Sequence, residues 1–217
     1  MQINQYIDHS LLKPTALIKN IEKLCSEALQ YNFAAVCVPP PMLKIAKAQI
    51  QNTSVKLATV IGFPFGYSAI ESKIAEVILA VIDGADELDI VINLIALKNG
   101  DWQYLADEIN HLIPVAKQNN KVVKIIIETS VLTDGEIIRC CELYGAANID
   151  YLKTSTGYAE KGATIDAVKL MRRHLPKHIQ IKASGGIKTY KFAKELIVAG
   201  ATRLGCSNSV QIVSENL

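Results

Sequence analysis

The chain has 217 residues, half of them hydrophobic and a fifth charged, with a formal net charge of +2. That length suits one soluble domain with a sizeable core, and the small charge excludes the basic excess of a nucleic-acid or anionic-membrane partner. No window holds the roughly 18 consecutive apolar residues of a membrane helix, and MQINQYIDHSLLKP lacks the basic and apolar regions of a signal peptide, so a cytoplasmic protein is expected.

Short apolar strands alternate with helical stretches. A weak first strand is expected at 6–9, followed by AAVCV at 34–38, KLATVIG at 56–62 and ELDIVIN at 87–93. The later strands are VVKIIIET at 122–129, YLKTS at 151–155, IQIKAS at 179–184 and TRLGCS at 202–207. Between them apolar residues recur at threes and fours, as in Ile70, Ile74, Val77, Ile78 and Val81, and again in Ile165, Val168, Leu170 and Met171. Thr133 and Glu136 have the spacing of a capping box, and Gly200 stands where a helix C-terminus needs a glycine.

The strands read as continuous apolar runs, which is the pattern of a parallel sheet covered on both faces. Eight strands and eight helices in 217 residues predict a single-domain α/β protein, a (β/α)8 TIM barrel spanning residues 1–217. An open doubly wound sheet is the alternative, but IDHSLLKP has no glycine for a nucleotide fingerprint after the first strand.

Metal and disulfide chemistry are not expected. Cys25, Cys37, Cys140, Cys141 and Cys206 form no CxxC and are odd in number, which fits reduced thiols. His174 and His178 are four apart, but Pro176 between them breaks a shared helix, so they read as a basic helix end.

The informative residues are charges inside the strands: Asp89, Lys124, Lys153 and Lys182, the three lysines being 29 residues apart in turn. A buried, unpartnered lysine is costly or loses its proton. One such lysine could snorkel to water between strand and helix; three of them with an aspartate point to the interior of a barrel. Clustered amines lower one another's pKa, and a neutral amine is the nucleophile for Schiff-base chemistry with an aldehyde or ketone. The last three strands end in STG (155–157), SGG (184–186) and GCSNS (205–209), turns that let backbone N–H groups approach an anion. A final short helix is expected to begin at 207–209, and a phosphate site after strands seven and eight is a recurrent barrel device.

Together YIDHSLLKP, VCVPP, VIGFPFG, ADELDIVIN, KIIIET, DYLKTSTGY, IKASGGI and RLGCS resemble, in order and over almost the whole chain, the deoxyribose-phosphate aldolase family. The resemblance implies a class I aldolase without metal or cofactor, which reversibly cleaves 2-deoxy-D-ribose 5-phosphate to acetaldehyde and D-glyceraldehyde 3-phosphate. It implies that Lys153 is the Schiff-base lysine, that Lys182 lowers its pKa, and that Asp89 is the proton-shuttling acid, acting with a bound water. Asp8, Cys37, Lys124 and Thr154 are expected around the substrate, and Gly157, Gly185, Gly186, Ser207 and Asn208 at its phosphate end. A homodimer or homotetramer is implied, with a small sugar phosphate as the partner molecule.

The sequence departs from the family pattern at two places. Ile95, in NLIALK, stands where the family has a glycine and is expected to narrow or reshape the pocket. The closing CSNSV has Asn208 and Ser209 in place of smaller residues. Tyr158 has no evident role. Another lysine-dependent or phosphate-binding barrel enzyme, or a catalytically silent sugar-phosphate binder, are the competing readings.

Overall fold

The structure is a computed structural model that describes residues 1–215; residues 216 and 217, the last two of the expected domain, lie outside the described residues. Eight parallel strands close into a barrel: β1 (Ile7–Ser10), β2 (Ala35–Val38), β3 (Lys56–Ile61), β4 (Glu87–Val91), β5 (Val122–Ile126), β6 (Tyr151–Lys153), β7 (Gln180–Ser184) and β8 (Arg203–Cys206). The closing contact is β8 against β1, with Asp8 opposite Gly205, which rules out the open sheet.

Helices α1 (Ile18–Tyr31), α2 (Leu43–Ile50) and α3 (Ile70–Ile82) cover the first three strands. A one-turn helix, α4 (Leu94–Lys98), precedes α5 (Trp102–Gln118). The ring is completed by α6 (Asp134–Gly145), α7 (Ile165–His174), α8 (Tyr190–Ala199) and the expected short final helix, α9 (Ser209–Ser214). Among the described residues no helix is long and apolar enough to cross a membrane.

The helix ends follow from local chemistry. Thr133 caps α6, accepting from the Glu136 N–H, while Glu136 reaches back to the Thr133 N–H. Thr164 and Thr189 cap α7 and α8 through their hydroxyls. Gly200 ends α8 at φ 122°, a conformation side chains disfavour. The expected basic end of α7 is present: α7 stops at His174, Leu175 is extended ahead of Pro176, and Arg172 donates to the carbonyls of Leu175, Pro176 and Ile179.

The strands are buried on both faces, but not in one core. Leu57, Ile61, Leu88, Ile90, Val123, Ile125, Leu152, Ile181 and Leu204 belong to the large apolar layer shared with the helices. Residues alternating with them point inward, where Cys37, Ala58 and Val60 form a small separate cluster. The buried charged side chains of β1, β4, β5, β6 and β7 share that interior.

Several strands end sooner than expected, β5 and β6 among them. β5 stops at Ile126 rather than at 129, because Glu128 turns left-handed (φ 55°) and Thr129–Val131 form a 3-10 turn. β6 stops at Lys153 rather than at 155. Both breaks fall at the C-terminal mouth, where barrel enzymes carry their sites.

Candidate active site

Asp8 on β1, Glu87 and Asp89 on β4, Lys124 on β5, Lys153 on β6, Lys182 on β7 and Arg203 on β8 meet inside the barrel. Asp89 is the hub. Its Oδ1 accepts from Lys124 Nζ at 2.7 Å, and its Oδ2 accepts from both Lys153 Nζ and Lys182 Nζ, each at 2.7 Å. Lys182 also donates to Asp8 Oδ2. Lys124 meets Glu87 at 2.5 Å, and Arg203 spans Asp8 at 2.6 Å and Glu87 at 3.1 Å.

Closure of the barrel explains this convergence. Lys153 and Lys182 are register partners across β6 and β7, while Asp89 is paired with Lys124 across β4 and β5. The three lysines are equally spaced in sequence but not level in the barrel. Lys124 lies opposite Tyr151, two residues below Lys153, because strand stagger accumulates around the barrel. Gly205 makes room for the Lys182 stem: a Cβ there would stand 3.2 Å from Lys182 Cε and 2.8 Å from Ser184 Cβ.

Formally three carboxylates face four bases, so the network carries one surplus positive charge. A buried net charge is costly. Among the described residues Lys124, Lys182 and Arg203 each touch two carboxylates closely, whereas Lys153 touches Asp89 alone. Lys153 is therefore the base that gives up its proton most readily. Burial pulls its pKa below the usual lysine value of 10.5; Asp89 opposes this and Lys182 adds to it. Burial also disfavours charge on Lys182 and Lys124, but their carboxylate partners outweigh it and raise both. Burial opposes ionisation of Asp89 too, yet Lys124, Lys153 and Lys182 hold it well below the carboxylate range. For Asp8, Lys182, Lys124 and Arg203 overcome burial in the same way.

Above the network lies a cavity of about 440 Å³. Lys153 stands in its wall with Thr156, Gly157, Ser184, Gly185, Gly186 and Ser207, and with Leu12, Lys13 and Tyr158 from the surrounding loops. Gly185 and Gly186 are both left-handed (φ 83° and 73°), and Gly185 packs so closely on Gly162 that a Cβ on Gly162 would meet its carbonyl oxygen at 2.1 Å. A lysine poised to lose its proton thus faces a cavity of ligand size, at the mouth of a parallel barrel.

The model of the DeoC/LacD family of aldolases matches residues 3–207 of this sequence. The chain belongs to that family. It is 47% identical to a deoxyribose-phosphate aldolase of Caldicellulosiruptor saccharolyticus over 99% of this chain and 98% of the relative. It is 48% identical to a deoxyribose-phosphate aldolase of Thermococcus gammatolerans over 98% of this chain and 96% of the relative. The solved deoxyribose phosphate aldolase of Aeropyrum pernix, described as a unique tetramer, matches with a TM-score of 0.92 at 30% identity, covering 99% of this chain and 90% of that one.

In this DeoC/LacD aldolase the expected site residues fall into three places. Lys153, Gly157, Gly185, Gly186 and Ser207 line the cavity. Asp8, Asp89, Lys124 and Lys182 form the buried network beneath it, with Lys124 a layer too deep to be part of the cavity wall. Cys37 is buried beside that network, and burial pushes its thiol up to about 11, so it is a poor nucleophile. Thr154 and Asn208 stand elsewhere. The Thr154 hydroxyl accepts from the Ser184 N–H at 3.1 Å, stitching β6 to β7. Asn208 borders a neighbouring surface depression with His9 and Glu27.

Ile95 does not narrow the cavity. It lies on α4 with its side chain 59% exposed, away from the cavity wall. Tyr158 gains a place: its hydroxyl donates to Leu12 O at 2.8 Å and its ring packs edge-on against Phe63, tying the loop after β6 to the loop after β1.

Sequence reasoning missed Glu87 and Arg203. Each sits two residues before an inward position of its own strand, so the period-two rule applied to ELDIV and TRLGC would have found both. It also missed the buried pair of Lys73 on α3 and Glu108 on α5. Lys73 donates to Val91 O at 2.7 Å, and Glu108 accepts from Asn93 N–H at 3.1 Å, pinning the end of the strand that carries Asp89.

Proposed function

We propose that this aldolase reversibly cleaves 2-deoxy-D-ribose 5-phosphate to acetaldehyde and D-glyceraldehyde 3-phosphate, with Lys153 as its Schiff-base amine. The observation that carries this reading is that Lys153 alone among the four bases has a single close carboxylate partner and faces the cavity. The names of the relatives at 47% and 48% identity support the choice of sugar.

The neutral amine attacks C1 of the open-chain aldehyde, and loss of water from the carbinolamine leaves an iminium. The C3 hydroxyl gives its proton to a water held at Asp89 and Lys182 as the C2–C3 bond breaks. The electron pair of that bond moves toward the iminium and forms an enamine. Protonation at C2 and hydrolysis release acetaldehyde and restore Lys153. Asp89, held ionised by three amines, anchors the water and the iminium charge; the water passes the proton to Asp89, which returns it through the same water to C2 of the enamine.

The phosphate belongs at the rim formed by Gly185, Gly186 and Ser207, with Lys13 supplying positive charge. We further propose a homo-oligomer, a dimer or a tetramer, by analogy with the relative described as tetrameric. Incubation with 2-deoxy-D-ribose 5-phosphate and enzymatic detection of acetaldehyde tests the assignment. Release of acetaldehyde supports it; no release, with cleavage of a different sugar phosphate, assigns the site to another aldol substrate.

A further inference from the structure

Glu128 is unusual on three counts. It is a non-glycine residue in the left-handed region (φ 55°, ψ 63°), a conformation that costs stability. It is buried, at 3% exposure. Its Oε1 has no hydrogen-bond partner among the described residues, a second cost. Strain and burial of this kind persist where surrounding structure or function requires them.

The other oxygen has a specific task. Glu128 Oε2 accepts from the Thr156 N–H at 3.1 Å and from the Thr156 hydroxyl. The Thr156 hydroxyl oxygen in turn accepts from the Tyr158 N–H at 3.0 Å. Thr156 is three residues beyond Lys153 and lines the same cavity. On the opposite side Ser184 Oγ donates to Ser155 O at 2.5 Å, so the segment is held from both neighbouring strands.

This bonding fixes what the Thr156 hydroxyl can offer. Its proton is committed to Glu128 and one lone pair to Tyr158, which leaves one lone pair and no donor. We propose that Glu128 is a positioning residue that presents Thr156 to the cavity as a hydrogen-bond acceptor for a hydroxyl group of the substrate. The proposal rests on the reading of the site as one for a hydroxylated sugar phosphate. It separates two partners of the same amine: the sugar phosphate, which has hydroxyls to donate, and acetaldehyde, which has none.

The test compares Glu128→Ala, Glu128→Gln and Thr156→Val with the unaltered enzyme, after the latter has been shown to form a borohydride-stable adduct at Lys153 with both compounds. That control stands or falls with the functional reading alone. Removing one such hydrogen bond lowers kcat/KM for the sugar phosphate by about tenfold in Glu128→Ala and in Thr156→Val. Glu128→Gln keeps a carbonyl acceptor and loses no more than about threefold. Adduct formation with acetaldehyde, which has no hydroxyl to donate, falls by clearly less than kcat/KM for the sugar phosphate in Glu128→Ala and Thr156→Val. If Glu128→Ala fails to fold, Thr156→Val, with Thr156→Ser as its conservative partner, carries the same comparison. Equal losses with both compounds, or no loss with the sugar phosphate, overturn the proposal.

Discussion

Lys153 and Lys182 are register partners on adjacent strands, and their amines donate to the same oxygen, Oδ2 of Asp89, each at 2.7 Å. Two ammonium groups so close repel each other, and the rest of the network decides which yields. Lys182 has Asp8 as a second partner; among the described residues Lys153 has no carboxylate partner beyond Asp89. Which base yields its proton is therefore set by the arrangement of carboxylates as much as by burial.

This makes the two neighbours of Lys153 act in opposite directions. Lys182→Met leaves three carboxylates facing three bases, so Lys153 is retained as a cation and its pKa rises. Because attack needs the neutral amine, whose fraction grows as pH rises, the acid limb of kcat/KM moves to higher pH. Asp89→Asn leaves two carboxylates facing four bases, which lowers the pKa of Lys153 and moves that limb to lower pH. Its kcat nonetheless falls by about 10²–10⁴-fold, because the anchor for the proton-carrying water is lost. Profiles of kcat/KM against pH for the two variants check this; shifts in the same direction contradict it.

Gly205→Ala tests the space left for Lys182. The new Cβ is within 2.8 Å of Ser184 Cβ and 3.2 Å of Lys182 Cε, so these side chains must shift. The expected loss is about 1–3 kcal/mol of stability from overpacking, together with a lower kcat from the displaced amine. Urea unfolding and steady-state kinetics measure the two effects.

Thr133→Ala provides a contrast away from the site. It removes the hydroxyl that accepts from Glu136 N–H at the start of α6. The expected cost is about 1 kcal/mol in stability, with kcat and KM unchanged, read from the same two measurements.

The barrel was legible in the sequence because its outward residues are apolar and its helices carry end signals that depend only on local residues, as at Thr133 and Gly200. The charged strand positions of Asp89, Lys124, Lys153 and Lys182 were legible for a related reason: a lysine in an apolar run has few explanations. Their heights in the barrel were not. Equal sequence spacing does not fix equal depth: stagger is a property of closure and set Lys124 two residues below Lys153. Glu128 was hidden more deeply, since neither the left-handed backbone nor its bond to Thr156 is written in any local pattern. Ile95 shows the reverse error: a departure from the family's glycine looked consequential, yet its side chain points to solvent.

The amine of Lys153 is proposed to form the covalent intermediate. Borohydride reduction in the presence of 2-deoxy-D-ribose 5-phosphate, followed by peptide mass spectrometry, tests it most directly. A reduced adduct is expected on the peptide carrying Lys153, and neither adduct nor turnover in Lys153→Leu with the fold retained. An adduct on Lys182 or Lys124 instead, or turnover surviving in Lys153→Leu, would contradict it.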